Sequence, residues 1–189
     1  MLQRCFEALR PARPMVHCIT NSVTINDCAN VLLAAGARPI MADDPEESAE
    51  ITAACRALVL NLGMLSPRKL EAMVKSGHQA NRMGIPVVLD PVGAGASALR
   101  TRAAYTLLEE VRFAAVRGNG SEIRVLAASP EQPFAAVCTA VCAMKTAGEL
   151  ARAALAPDEG SGSYRVRLID AVNRLDGPTL AARAQWEEL

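Results

Sequence analysis

The sequence predicts an α/β fold, a mostly parallel sheet flanked by helices, and three observations carry that reading. From residue 15 to 127 short apolar runs alternate with amphipathic stretches bearing helix start and stop signals. The runs are apolar throughout instead of alternating, the pattern of strands covered on both faces. Three of them give way to a polar residue and a glycine-containing loop, at Asn61, Asp90 and Arg117. Parallel sheets bind ligands outside the carboxyl ends of their strands, so these positions are where chemistry is expected.

The elements follow in order. Residues 15–19 read as a strand, and Asn21-Ser22 as the cap of a helix over 23–35 that Gly36 stops. A short strand is expected at 39–41. Asp44 is expected to cap a helix with Pro45 at its first position and Glu46 and Glu47 at its positive dipole end. Residues 57–61 form a buried strand; Ser66-Pro67 starts a helix that runs to Met83, before Gly84. A strand at 87–90, a helix at 98–111, a strand at 113–116 and a short helix at 121–126 complete the rhythm. Beyond Ala127 it breaks. An Ala-rich helix is expected at 134–155, a Gly/Ser loop at 157–163, a helix at 164–175, and a tail that reads as one more helical segment.

Composition bounds the function. The 189 residues are 51% hydrophobic and 21% charged, the profile of one ordinary globular domain. Such a chain buries roughly 70% of the surface its unfolded form exposes, so it needs no disulfide or metal staple. Twenty basic residues balance twenty acidic ones and aromatics are 3%, which argues against nucleic-acid and membrane-surface roles and leaves small-molecule chemistry. The cysteines at 5, 18, 28, 55, 138 and 142 have no zinc-ligand spacing and read as buried reduced thiols. Residues 1–14 lack the continuous apolar stretch of a secretory signal, and no apolar run approaches a membrane span. A cytoplasmic protein is expected.

Two strings carry candidate chemistry. Asp90-Pro91-Val92-Gly93-Ala94-Gly95 suits a phosphate-bound magnesium ion near backbone N–H groups, and equally a turn whose Asp caps the next segment. Arg117-Gly118-Asn119-Gly120-Ser121-Glu122 has capping-box spacing, and taken alone a cap accounts for it. Two acidic strand ends in one sheet alter the weighting. Asp90 and Glu122 with Arg117 between them would make a magnesium site beside a phosphate-binding cation. His17 lies in an apolar strand and reads as a core or pocket residue; His78, on a charged helix, reads as solvated. Cys138 and Cys142, one helical turn apart, read as core-facing.

As a set, Met15-Val16-His17-Cys18-Ile19-Thr20-Asn21-Ser22-Val23-Thr24, Gly36-Ala37-Arg38-Pro39-Ile40-Met41-Ala42, Leu60-Asn61-Leu62-Gly63, Leu89 to Gly95 and Arg117 to Ile123 closely resemble the hydroxyethylthiazole kinase family, almost unbroken over residues 5–127. The resemblance implies a ribokinase-like fold. It also implies transfer of a phosphoryl group from Mg-ATP to the alcohol of 4-methyl-5-(2-hydroxyethyl)thiazole in thiamine biosynthesis. Asn21, Val23 and Met41 would line the thiazole pocket, Asp90 and Glu122 would hold Mg²⁺, and Arg117 would contact the ATP phosphates. Family members are homotrimers with active sites between subunits.

One departure stands beside the match. After the Asn-x-x-Glu helix the family continues with a β-rich segment, an ATP-contacting threonine and a Gly-Thr-Gly-Cys loop, a string that does not occur here. The resemblance resumes at Ala147-Gly148-Glu149-Leu150 and at Gly160 to Val166, so the fold is expected in truncated form with an internal gap, and the catalytic residue is unassigned. Beside the kinase, two other readings follow: a catalytically impaired thiazole-binding or subunit-interaction module, and a damaged reading frame without function.

Overall fold

The computed structural model describes residues 8–127 and 147–183. In chain order these form α1 (8–12), β1 (Met15–Ile19), α2 (Ile25–Ala35), β2 (Arg38–Ile40), α3 (Ser48–Ala53), β3 (Ala57–Asn61), α4 (Pro67–Met83), β4 (Val87–Asp90), α5 (Ala98–Glu110), β5 (Ala115–Val116), α6 (Gly120–Ala127), α7 (147–153), α8 (Ser161–Arg174) and α9 (Gly177–Arg183). Among these residues, one compact unit holds 14–26 and 39–127; the other holds 8–13, 27–38 and 147–183.

The expected α/β fold is present. The five strands lie in the order β2-β1-β3-β4-β5, and β1–β3, β3–β4 and β4–β5 pair in parallel. Ile19, Leu58, Leu60, Val87 and Leu89 are buried in the sheet and pack with Ala72, Met73 and Ala80 of α4 and Ala103, Ala104 and Leu107 of α5. Register decides what stands at the carboxyl end. Asn61 on β3 is the partner of Asp90 on β4, and the Arg117 N–H donates to the Leu89 carbonyl at 2.8 Å, setting Arg117 beside them.

α4 shows the local rules most fully. The Ser66 hydroxyl accepts the Lys69 N–H at 3.2 Å, Pro67 opens the first turn, and Gly84 closes the helix in the left-handed region at φ 67°. Gly77 lets α4 approach the chain after α5, because a Cβ there would stand 2.3 Å from a Val111 methyl.

Several boundaries differ from expectation for local reasons. α2 starts at Ile25, not Val23, because the Asn21 Oδ1 accepts both the N–H and the hydroxyl of Thr24 at 3.1 Å and holds residues 22–24 in a turn. α3 starts at Ser48, so Pro45 is not its first residue. Asp44 Oδ1 accepts the Glu46 N–H at 3.0 Å and its carbonyl accepts the Ser48 N–H at 2.9 Å, which consumes Asp44 in a turn ahead of the helix. β5 is two residues long, since only Ala115 and Val116 find partners on β4.

In the second unit, Arg167 of α8 sends an Nη2 donor to both carboxylate oxygens of Glu159 at 2.7 Å. Arg165 pairs with Asp27. The helix expected at 134–155 is seen from 147; its earlier part, with Cys138 and Cys142, lies outside the described residues, as do Cys5 and the tail beyond 183. Cys18 and Cys55 are buried and Cys28 is half-buried. Among the described residues no helix is long and apolar enough to cross a membrane.

Candidate active site

The carboxyl ends of β1, β3, β4 and β5 carry one connected set of polar side chains, and backbone donors fix its polarity. Gly63 N–H reaches one terminal atom of the Asn61 amide at 2.9 Å. A backbone N–H only donates, so that atom is Oδ1 and the other is the amide nitrogen. Asn61 Nδ2 therefore donates to Asp90 Oδ2 at 2.8 Å. The same argument applies to Asn21: Thr24 N–H fixes its Oδ1, so its Nδ2 donates to Asn61 Oδ1 at 3.1 Å. The line ends at Arg117, whose Nη1 meets Asp90 Oδ2 at 2.7 Å.

Glu122 closes the other side. Asn119 Oδ1 accepts the N–H groups of Ser121 and Glu122 at 3.0 Å, and Glu122 Oε2 accepts the Asn119 N–H at 2.8 Å, which completes the capping box read from the spacing. Its second oxygen does more. Glu122 Oε1 accepts the Gly93 N–H at 2.9 Å, tying the start of α6 to the loop after β4. Gly93 and Gly95 sit at φ 78° and 87°, a region L side chains rarely adopt, which explains both glycines of that loop.

Electrostatics set Asp90 apart. Burial pushes its carboxyl above the ordinary range; Arg117 and the Asn61 amide pull it back, and the Glu122 charge adds to the rise. The Arg117 side chain is 60% exposed, so the guanidinium reaches Asp90 from the solvent side.

The three residues matched to the thiazole pocket fare differently. Asn21 joins the polar line. Met41 stands just past β2 and is half-buried. Val23 is 81% exposed on the turn before α2. His17 is a core histidine: it is fully buried, with Nε2 2.7 Å from the Ala42 carbonyl and Nδ1 2.8 Å from the Thr52 hydroxyl. A carbonyl only accepts, so Nε2 carries the proton, and burial holds the imidazole pKa below its ordinary value. His78, read as solvated, is half-exposed on α4 and pairs with Glu110 at 3.0 Å.

Two site residues had no assigned role in the sequence reading. Asn61 had a visible signal, a polar residue ending an apolar strand. Arg100 had none, because an arginine on a helix reads as solvated. It donates to the carbonyls of Leu62 at 2.5 Å, Gly63 at 2.7 Å and Val92 at 3.1 Å, clamping the loops after β3 and β4. Among the described residues no three metal-ligating side chains converge.

Comparison with known proteins agrees with this architecture. The model of the hydroxyethylthiazole kinase family matches residues 6–132. A hydroxyethylthiazole kinase of Clostridium acetobutylicum is 35% identical over an alignment of 271 positions that covers 99% of each chain, so gaps take up the excess over 189 residues. One of Desulfovibrio desulfuricans is 60% identical over 121 residues, 64% of this chain and 42% of that protein; this chain spans less than half of that relative's length. The solved structure of a hydroxyethylthiazole kinase protein from Pyrococcus horikoshii superposes with a TM-score of 0.85 at 27% identity, covering 97% of each chain. With a family model over two thirds of its length and a relative matched end to end, the chain belongs to the hydroxyethylthiazole kinase family.

Proposed function

We propose that the chain binds 4-methyl-5-(2-hydroxyethyl)thiazole and Mg-ATP and transfers the γ-phosphoryl group to the thiazole's primary alcohol, as a cytoplasmic homotrimer of one ribokinase-like domain. The observation that carries this reading is the hydrogen-bonded line from Asn21 through Asn61 to Asp90 and Arg117 at the ligand-binding end of a parallel sheet. In the reaction the alcohol oxygen bonds to the γ-phosphorus, the bond from that phosphorus to the β–γ bridging oxygen breaks, ADP leaves and the hydroxyl proton passes to solvent. Asn21, Val23 and Met41 would face the thiazole. Arg117, already aimed at an anion, would take the ATP phosphates.

The acidic residues fit a magnesium ion. Mg²⁺ usually keeps water and phosphate oxygens and takes one or two protein carboxylates. Asp90 is a partly buried carboxylate whose charge is opposed by Glu122, a conflict a divalent cation relieves, and each Glu122 oxygen holds one hydrogen bond and keeps a lone pair. When bound, the ion would neutralise charge on the β- and γ-phosphates.

The test is ADP release coupled to thiazole. Turnover should depend on the thiazole, and Asp90→Asn or Arg117→Ala should each lower it about 10²–10³-fold, the usual effect of removing one charge-stabilising group. Release no higher than in thiazole-free controls overturns the reading. One observation favours a second reading, a thiazole-binding module without transfer: the 189 residues contain no Gly-Thr-Gly-Cys string. Calorimetry distinguishes it, as saturable thiazole binding without ADP release.

A further inference from the structure

Asn61 touches both halves of the proposed site. Its Oδ1 accepts from Asn21, on the thiazole side, and its Nδ2 donates to Asp90, on the magnesium and phosphate side. The side chains it joins are far apart in sequence, from the ends of β1 and β4, and β3 between them brings Asn61 to the middle.

The contact is built closely. Gly63 follows two residues later, and a Cβ there would lie 2.8 Å from both Asn61 Oδ1 and Asn21 Nδ2. The glycine therefore leaves the space in which the two amides meet, while its own N–H fixes which way Asn61 faces. An amide suits this position because it offers an acceptor to one neighbour and a donor to the other. Aspartate would add a second negative charge against Asp90, beside that of Glu122, and an aliphatic side chain would cut both bonds.

We propose that Asn61 is a positioning residue that couples the two substrate sites, so that filling one tightens the other. A ligand that pulls on Asn21 moves the Asn61 acceptor, and the same rigid amide moves the donor that orients Asp90. A nucleotide that draws Arg117 away from Asp90 leaves Asn61 as the remaining donor on Oδ2 and strengthens the line in the opposite direction. Coupling of this kind is reciprocal and commonly amounts to about 5–150-fold in affinity.

The inference rests on the kinase reading, and the experiment separates the two. Calorimetry on the full chain measures thiazole affinity with and without Mg-ADP, and Mg-ADP affinity with and without thiazole. Wild type should show at least about fivefold mutual tightening. Asn61→Ala should still bind each ligand alone but lose the tightening, to within about twofold. Gly63→Ala, which crowds the amides apart without removing either, should lose it as well, and it serves if Asn61→Ala fails to fold. Tightening that persists in either folded variant overturns the proposal. So does wild type that binds both ligands independently, which leaves the kinase reading intact. Wild type that binds neither ligand removes the kinase reading and this inference together.

Discussion

Asn61 and Asp90 are register partners on adjacent parallel strands, and the amide of the first donates to the carboxylate of the second at 2.8 Å. The pair sits where apolar strands end and solvent begins, so one carboxylate is held in a place that favours its neutral form. That tension separates function from stability.

Asp90→Asn tests the separation. Burial raises the Asp90 pKa, so the folded state favours the protonated carboxyl, and this group's contribution to stability is lost as pH rises through its folded-state pKa. An amide removes that penalty. Thermal unfolding at pH 7 should show a Tm equal to or above wild type while thiazole-dependent ADP release falls about 10²–10³-fold. A Tm several degrees lower, each ~2–4 °C marking about 1 kcal/mol at this chain length, would mean that the Arg117 pair outweighs burial.

His17 predicts an acid limb. Its pKa lies below the ordinary 6.5 because burial disfavours the charged ring. The unfolded state then binds more protons between the two pKa values, so stability is complete above about pH 6.5 and declines as pH falls towards the folded-state value. His17→Ala should cost about 2–4 kcal/mol, from the cavity and the orphaned Ala42 carbonyl, and should flatten that limb in urea titrations run from pH 7.5 to 5.

Gly77→Ala sets helix propensity against packing. Alanine favours a helix interior by about 1 kcal/mol over glycine. Its Cβ, however, would stand 2.3 and 2.8 Å from the two Val111 methyls. We expect net destabilisation of about 1–3 kcal/mol in the denaturant midpoint. The double variant Gly77→Ala with Val111→Ala should recover part of the loss, and its absence would show that the helix, not the contact, is at fault.

Arg100→Lys keeps the charge and loses the fork. Three carbonyls from two loops need donors in a plane, which a lysine ammonium on a flexible stem does not supply. A loss of about 1–3 kcal/mol is expected, together with faster amide exchange at Gly63, whose N–H holds Asn61. Unchanged exchange there would show that the loops hold without the clamp.

Much of this was open to reading in the chain itself. The βαβ rhythm, the polar strand ends, the capping box of Asn119 and Glu122 and the Ser66-Pro67 start of α4 follow from local chemistry, because each depends on residues within a turn or two of one another. The misplaced starts of α2 and α3 have one cause. Asn21 and Asp44 are good helix caps and equally good turn formers, and only the surrounding chain chooses between those uses.

By itself the sequence determined the fold class and which residues stand at the carboxyl ends of the strands, since apolar runs and their polar terminators set both. Tertiary structure alone decided who bonds to whom there. Asn21, Asn61 and Asp90 are separated by 40 and 29 residues and meet only through strand order and register. Arg100 becomes part of the site for the same reason: a helix arginine finds three carbonyls only once β3 and β4 lie side by side. Hydrogen-bond partners across strands are a property of pairing, and pairing is not written in the spacing along any one strand.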